Sequence, residues 1–528
     1  MRSSRSAYLA IDKTERSLSN HCEWLPIVSY PKPFTLVWVV STCTAIFAPA
    51  IALAQPIIPD NDGTGTLVTP ESDRFNIHGG QTSGDGSNLF HSFQEFGLDA
   101  GQTANFQSCP EIQNILGRIT GGNASLIDGL IEVTGSNANL FLMNPAGIVF
   151  GENAQLNVPS SFTATTATGI GLDGGWFNAF GTNDYTALVG TPNAFDFAIF
   201  EPGAIVNHGN LTVAEGSNLS LFGGTVVSTG TLQADGGEIS VAAVPGENLL
   251  RLSAEGNILS LEVSPATSSF SLLNPRSLPE LLTLGESIAD ADTLVVNPDG
   301  TVALTGSGLR VEDGDVAVAG GKNSEPNLRS GSAILAADRN LTLTESQLST
   351  TDDLTLLAGD TLQVRDSIAN PVLTEAGGNL SLRGTRGIDI LALNHPQTPF
   401  VSGGDLSLAS GGFISGDAHY STGGNFSILT LDGEPGEFFS LIDPIIFANG
   451  DVTFGDYTGP SLVIEATGEI TTGNITINGI DPNIADEPVL ILRAGRTPTP
   501  ITLAAGGTTT QEGTVFSAAS TAAAPPRN

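Results

Sequence analysis

The sequence predicts an all-β chain folded as a right-handed parallel β-helix, a β-solenoid. Three observations carry this reading. A short phrase recurs along the chain: a Gly or polar residue, then Asn or Asp, then alternating apolar and Ser/Thr residues. Its Asn/Asp positions 379, 405, 425, 451 and 474 lie 26, 20, 26 and 23 residues apart, which suits coils of two or three strands. The composition agrees: Gly 63 in 528 residues, only 14% charged residues and 40% hydrophobic ones. Too few charged residues remain for long amphipathic helices, and the hydrophobic content argues against a disordered chain.

The phrase appears as Gly209-Asn-Leu-Thr-Val213, Ser217-Asn-Leu-Ser-Leu221 and Gly236-Gly-Glu-Ile-Ser-Val241, then as Arg339-Asn-Leu-Thr-Leu343 and Asp352-Asp-Leu-Thr-Leu356. It continues as Gly378-Asn-Leu-Ser-Leu382, Gly404-Asp-Leu-Ser-Leu408, Gly424-Asn-Phe-Ser-Ile428, Gly450-Asp-Val-Thr-Phe454 and Gly473-Asn-Ile-Thr-Ile477. Each is a period-two strand preceded by a turn signal. The apolar alternates are expected to point inward and the Ser/Thr alternates outward. Asn and Asp at the corners are expected to bond to neighbouring amides and to stack as ladders. A β-sandwich array is the competing architecture, but Tyr 5 and Trp 3 supply few core anchors for it.

Taken in order, residues 1–33 hold Arg2, Arg5, Lys13, Arg16 and Lys32, followed by an apolar stretch from Phe34 to Ala48. Ala52-Leu-Ala54 then gives the small-x-small pattern of a signal peptidase site. Residues 1–54 are therefore expected to be a Sec signal peptide, cleaved between Ala54 and Gln55. Its removal takes five basic and three acidic residues and leaves 14 basic against 52 acidic, a net charge of -38. Such a chain lacks the basic face of a nucleic-acid binder. Cys22 and Cys43 also leave, so Cys109 has no intrachain partner and is expected to be a buried structural residue. Turns of helix are expected at Pro110–Leu116 and Leu278–Leu284. Residues 506–528, rich in Thr, Ala, Ser and Pro, are expected to be disordered.

Residues 59–170 carry a second set of motifs: Pro59-Asp-Asn-Asp-Gly-Thr64, Asn88-Leu-Phe-His-Ser-Phe-Gln-Glu-Phe96, Ile112-Gln-Asn-Ile-Leu-Gly-Arg-Ile-Thr-Gly-Gly122 and Ile127-Asp-Gly-Leu-Ile131. Ala138-Asn-Leu-Phe-Leu-Met-Asn-Pro-Ala-Gly-Ile-Val-Phe-Gly151 and Ser161-Phe-Thr-Ala-Thr-Thr-Ala167 follow. In these motifs the chain resembles filamentous-haemagglutinin-type exoproteins, with their N-terminal two-partner secretion (haemagglutination activity) domain. Position 146 is Ala where the family often has Asn, and the family's earlier Asn-Pro-Asn-Leu motif has no intact counterpart; Gln107-Ser-Cys-Pro110 stands there. The resemblance implies a signal peptide at 1–54, a secretion domain at 55–300 continuing into the β-helix, and further β-helix at 301–505. It also implies an adhesin-like exoprotein, secreted or displayed at the outer cell surface of a Gram-negative bacterium. The implied partners are the Sec machinery, an outer-membrane β-barrel transporter with POTRA domains, and ligands on host cells, surfaces or polysaccharides. Asn144, Pro145, Ala146, Gly147 and Ile148 are the candidate secretion motif, and their turn chemistry suits a solenoid corner.

The alternative function is a carbohydrate-active β-helix enzyme, a polysaccharide lyase or hydrolase, which needs carboxylates at a defined separation. Asp352-Asp353 is the best local pair but occupies the repeated corner position. Asn207-His208-Gly209 matches only a fragment of a hydrolase pattern, and His78 falls in an expected loop. Calcium is not indicated, since neither the calcium-solenoid nonapeptide nor a full EF-hand loop is present. No catalytic residue, cofactor or metal ligand is expected.

Overall fold

A computed structural model describes residues 57–498, apart from 253–257, 264–276, 283–293, 297–301, 305–308, 321–325, 368–369, 393–398, 443, 482–483 and 485. The expected signal peptide, its Ala54–Gln55 cleavage site and the 506–528 tail lie outside the described residues. What is described is a parallel β-helix whose coils pass through three strand stacks. The first stack opens with Asn88–Glu95, Asn114–Ile119, Asn139–Met143 and Phe162–Thr165 and ends at Ile470–Thr471. The second runs from Ser125–Ile127 and Ile148–Phe150 to Ile475–Ile477, and the third from Arg74–Gly79 and Thr103–Gln107 to Val489–Arg493.

Alternation places the core. In the first stack Leu354, Leu380, Leu406, Phe426 and Val452 are in register from coil to coil and fully buried. Thr355, Ser381, Ser407, Ser427 and Thr453 face outward between them. The inward rows of all three stacks merge into one long apolar core, where burial of each Leu or Phe contributes roughly 1.5–3 kcal/mol.

From Leu354 to Val452 the recurring phrase builds the corner before each first-stack strand. Asp353 Oδ1 accepts the Asn379 amide N–H at 2.7 Å, Asn379 Oδ1 accepts that of Asp405 at 2.9 Å, and Asp405 Oδ1 that of Asn425 at 2.7 Å. Asn425 Oδ1 then accepts the Asp451 N–H at 2.8 Å, and Asp451 Oδ1 accepts that of Glu469 at 2.8 Å. Each side chain thus satisfies a backbone donor one coil further on. The preceding glycine is required by the same contact. A Cβ at Gly378, Gly404, Gly424, Gly450 or Gly468 would run into the ladder oxygen of the coil before. The expected series breaks at its last member, because Asn474 belongs to the second stack, where its N–H donates to Asp456 Oδ1 at 2.7 Å. The phrase encodes a corner, and these coils use it at more than one; Asn210 and Asn340 likewise open strands of the third and second stacks.

The described residues of two stretches, 166–203 and 244–315, lie outside the coil's strand stacks. They supply Gly169–Leu172, Gly175–Asn178, Ala194–Phe197, Asn248–Leu252 and Ile258–Val263 to a five-stranded antiparallel side sheet. This sheet covers the outer face of the early first stack. Phe90, Leu116, Phe141, Met143 and Phe222 pack there against Ile170, Phe177, Phe195, Phe197 and Leu250. The run Leu140–Met143 is therefore apolar at every position: Leu140 and Leu142 enter the coil, while Phe141 and Met143 meet the side sheet. Antiparallel pairing closes the N-terminal end, with Thr66–Glu71 against Arg74–Gly79, and Ile58–Pro59 and Gln81–Thr82 against Asn88–Glu95.

Two expectations are corrected. Pro110–Leu116 forms no helix; a turn closed by the Ile112 N–H to Cys109 O bond at 3.0 Å leads straight into strand Asn114–Ile119. Its apolar residues serve two faces of a strand, Ile115 inward and Leu116 outward. Cys109 is exposed, because it sits on that turn outside the strand stacks. The helix Leu278–Leu282 does form.

Candidate functional site

Asn144, Pro145, Ala146, Gly147 and Ile148 form the corner between the first-stack strand Asn139–Met143 and the second-stack strand Ile148–Phe150. Asn144 is 1% exposed and organises it. Its Oδ1 accepts the Ala146 N–H at 3.0 Å, and its Nδ2 donates to Asn123 O and Ser125 Oγ, each at 3.0 Å. The Gly147 N–H closes the turn onto Asn144 O at 3.1 Å. Gly147 has φ +119, which glycine adopts without strain. Ala146 and Ile148 are buried, and Leu281 of the short helix lies where a Cβ on Gly147 would point. The corner is thus buried on all sides, which accounts for a small residue at position 146.

A polar spine runs at the opposite end of the same strand. Asn114 Nδ2 donates to Asn88 Oδ1 at 2.8 Å, and Asn139 Nδ2 donates to Asn114 Oδ1 at 2.9 Å. Ser160 Oγ and the Ser161 N–H close the row on Asn139 Oδ1 at 2.6 and 3.1 Å. At the other end Asn88 Nδ2 donates to Leu188 O and Gly190 O at 3.0 and 2.9 Å, tying the spine to the excursion at 166–203.

Arg118, in the neighbouring strand position, leaves only 3% of its side chain exposed. Nε donates to Ser92 Oγ at 3.1 Å, one Nη to Asn178 O and Gly181 O at 2.6 and 3.0 Å, and the other Nη to Asp62 Oδ2 at 2.6 Å. The guanidinium also lies over the Phe177 ring, 5.8 Å from its centroid. Burial opposes ionisation of Asp62. Hydrogen bonds from Thr64, Ser92 and Arg118 outweigh that and hold its pKa down at about 2, below the usual 3.8. The folded state therefore gains stability from the Asp62 carboxylate above pH 3.8, and loses it as the pH falls toward 2. Unfolding midpoints of the native chain and of Asp62→Asn should accordingly differ most at neutral pH and converge as the pH approaches 2. A gap that stays constant over that range would contradict this assignment.

Residues weighed for catalysis sit in structural positions. Asp352 and Asp353 are exposed at a corner, where Asp353 begins the ladder. His208 is buried, with Nδ1 2.7 Å from Thr229 Oγ1. His78 lies on the strand Arg74–Gly79 and not in a loop, its Nε2 3.0 Å from Thr69 Oγ1. His91 is fully buried inside the first coil, its ring 5.8 Å from that of Phe106. Burial, with the charge of His78 adding to it, lowers its pKa to about 3, so the imidazole is neutral at physiological pH. Among the described residues, no group of three or more His, Cys, Asp or Glu side chains is placed to hold a metal ion.

Residues 55–274 match the family model of the TPS secretion domain. This segment is similar to TPS secretion domains. Over 334 residues, 53% of this chain, the sequence is 25% identical to the tRNA nuclease CdiA of Escherichia coli O6:K15:H31 (strain 536 / UPEC). The chain spans 10% of that relative's length. The HMW1 secretion domain from Haemophilus influenzae aligns over 83% of this chain and 99% of its own, at 15% identity and a TM-score of 0.37. A filamentous hemagglutinin secretion domain aligns over 80% of this chain and 100% of its own, at 15% identity and a TM-score of 0.27. Within the matched residues 55–274 lie the Asn144 corner, the Asn spine, Arg118 and all five strands of the side sheet. The spine residues Asn88, Asn114 and Asn139 all stand in the sequence motifs, where their common spacing near 25 was the available signal. Arg118 stood in a motif too, as a lone cation in an otherwise uncharged strand.

Proposed function

We propose that the chain is an exoprotein of two-partner secretion. It crosses the inner membrane by Sec, losing residues 1–54 in the process, and a POTRA-bearing outer-membrane barrel then recognises its secretion domain. The β-helix acts outside the cell as an adhesin-like surface. The match of residues 55–274 to the TPS secretion domain carries this reading. The division into a domain at 55–300 and further coils at 301–505 belongs to it, as does a part for the Asn144–Ile148 corner in transport. That corner is buried once folded, so a transporter meets it in the extended chain. Extended β-forming segments can add to the edge of a POTRA sheet. The carbohydrate-active alternative would need carboxylates at a defined separation, and its candidate pair, Asp352 and Asp353, stands at an exposed corner where Asp353 begins the ladder.

The test is export by a strain carrying the cognate barrel. Deleting residues 57–274 while keeping the leader should move the protein from the medium and cell surface to the periplasm. Undiminished export of the deleted chain would overturn the proposal.

A further inference from the structure

Arg118 touches three parts of the chain that are far apart in sequence. Asp62, 56 residues before it, belongs to the N-terminal segment; Asn178 and Gly181, 60 and 63 residues after it, belong to the side-sheet excursion. Ser92, 26 residues before it, is the neighbouring coil. With 3% of its side chain exposed, the guanidinium is cut off from water and depends on these groups as acceptors for its N–H donors. A buried cation with only some of its partners present is strongly unfavourable. The partners are needed together. A second contact joins the same two distant segments, Thr64 Oγ1 to the Tyr185 hydroxyl at 2.7 Å. The apolar faces agree with this. Phe90, Leu116 and Phe141 point out of the first coils and are covered by the side sheet together with Tyr185 and Leu188 of the same excursion.

We propose that Arg118 is a coincidence lock: it closes the N-terminal segment, the first two coils and the side sheet into one cooperative unit, none of which is stably folded without the others. In the secretion reading, on which this consequence rests, the domain cannot close coil by coil as it is threaded. It stays extended at least until residue 181 is available.

Hydrogen exchange on the full chain, refolded from denaturant, tests the lock without any transporter, so its outcome is independent of the export experiment. In Arg118→Met, amides of 57–64 and of 175–183 should lose protection together by about 100-fold, while coils 354–471 keep theirs. Asp62→Asn is the milder variant and touches only the N-terminal arm. It should still lower protection at 175–183, by about tenfold, in step with 57–64. The inference is overturned if Asp62→Asn exposes 57–64 and leaves 175–183 unchanged. Retention of protection in both segments by Arg118→Met would overturn it equally.

Discussion

Asn114→Leu should destabilise the segment 55–274 by about 2–4 kcal/mol, comparable with truncating a core leucine. Asn114 is 1% exposed and serves both neighbours, donating to Asn88 and accepting from Asn139. Leucine fills a similar volume but leaves an acceptor on Asn88 and a donor on Asn139 facing it. Each buried group left unmade costs roughly 1–3 kcal/mol. Asn88 is itself fully buried and cannot turn to water. Trp176, the only tryptophan after residue 54, lies on the side sheet and reports this unfolding by its fluorescence. The denaturation midpoint should fall with the slope unchanged. A midpoint within experimental error of the native chain would show that the spine contributes no net stability.

The second large effect is expected at Gly404→Ala. A Cβ there would stand 2.5 Å from Asn379 Oδ1 and 3.2 Å from the Gly378 carbonyl carbon. Relief requires Asn379 to swing away, and that breaks its bond to the Asp405 N–H. Overpacking of this kind costs about 1–3 kcal/mol, and the lost bond adds about 1 kcal/mol. Each coil contacts mainly its neighbours, so the damage should stay local. Limited proteolysis should open near 404 while the Trp176 transition stays where it was. Asn379→Ala removes the obstructing oxygen, so Gly404→Ala should cost less in that background than in the native one. Additive costs would place the clash with backbone atoms alone.

Much of this architecture was legible in the sequence, for reasons that differ by region. In the first stack from Leu354 to Val452 each strand has one buried face and one wetter one, so period-two alternation marks strand and orientation together. The Gly-Asn/Asp phrase marks corners because one oxygen fixes both residues: it accepts the next N–H and excludes a Cβ. The same clarity misassigned Asn474, since a corner signal does not say which stack follows it. Alternation fails at Asn139–Met143, where both faces are buried. Nothing local announces that Phe141 and Met143 are covered by strands that arrive after residue 169. Arg118 hid for a related reason. A single arginine in a strand is usually solvated, and its carboxylate partner stands 56 residues away. The Asn144 corner could be read as a turn from Pro145 and Gly147, but its burial depends on the helix Leu278–Leu282.

The exposed corner ladder also sets a limit on how an acidic protein can repeat itself. Its rungs run Asp353, Asn379, Asp405, Asn425, Asp451, charged and neutral in turn. Asn and Asp serve equally well as acceptors, so the ladder's bonding does not select between them. Rungs follow at the strand spacing of about 4.8 Å. Strict alternation sets successive carboxylates about 9–10 Å apart, beyond the roughly 8 Å Debye length of physiological salt. Five consecutive aspartates would bond the same way yet bring like charges within screening distance at every step. Alternating amide with acid lets the stack lengthen without its electrostatic cost growing coil by coil.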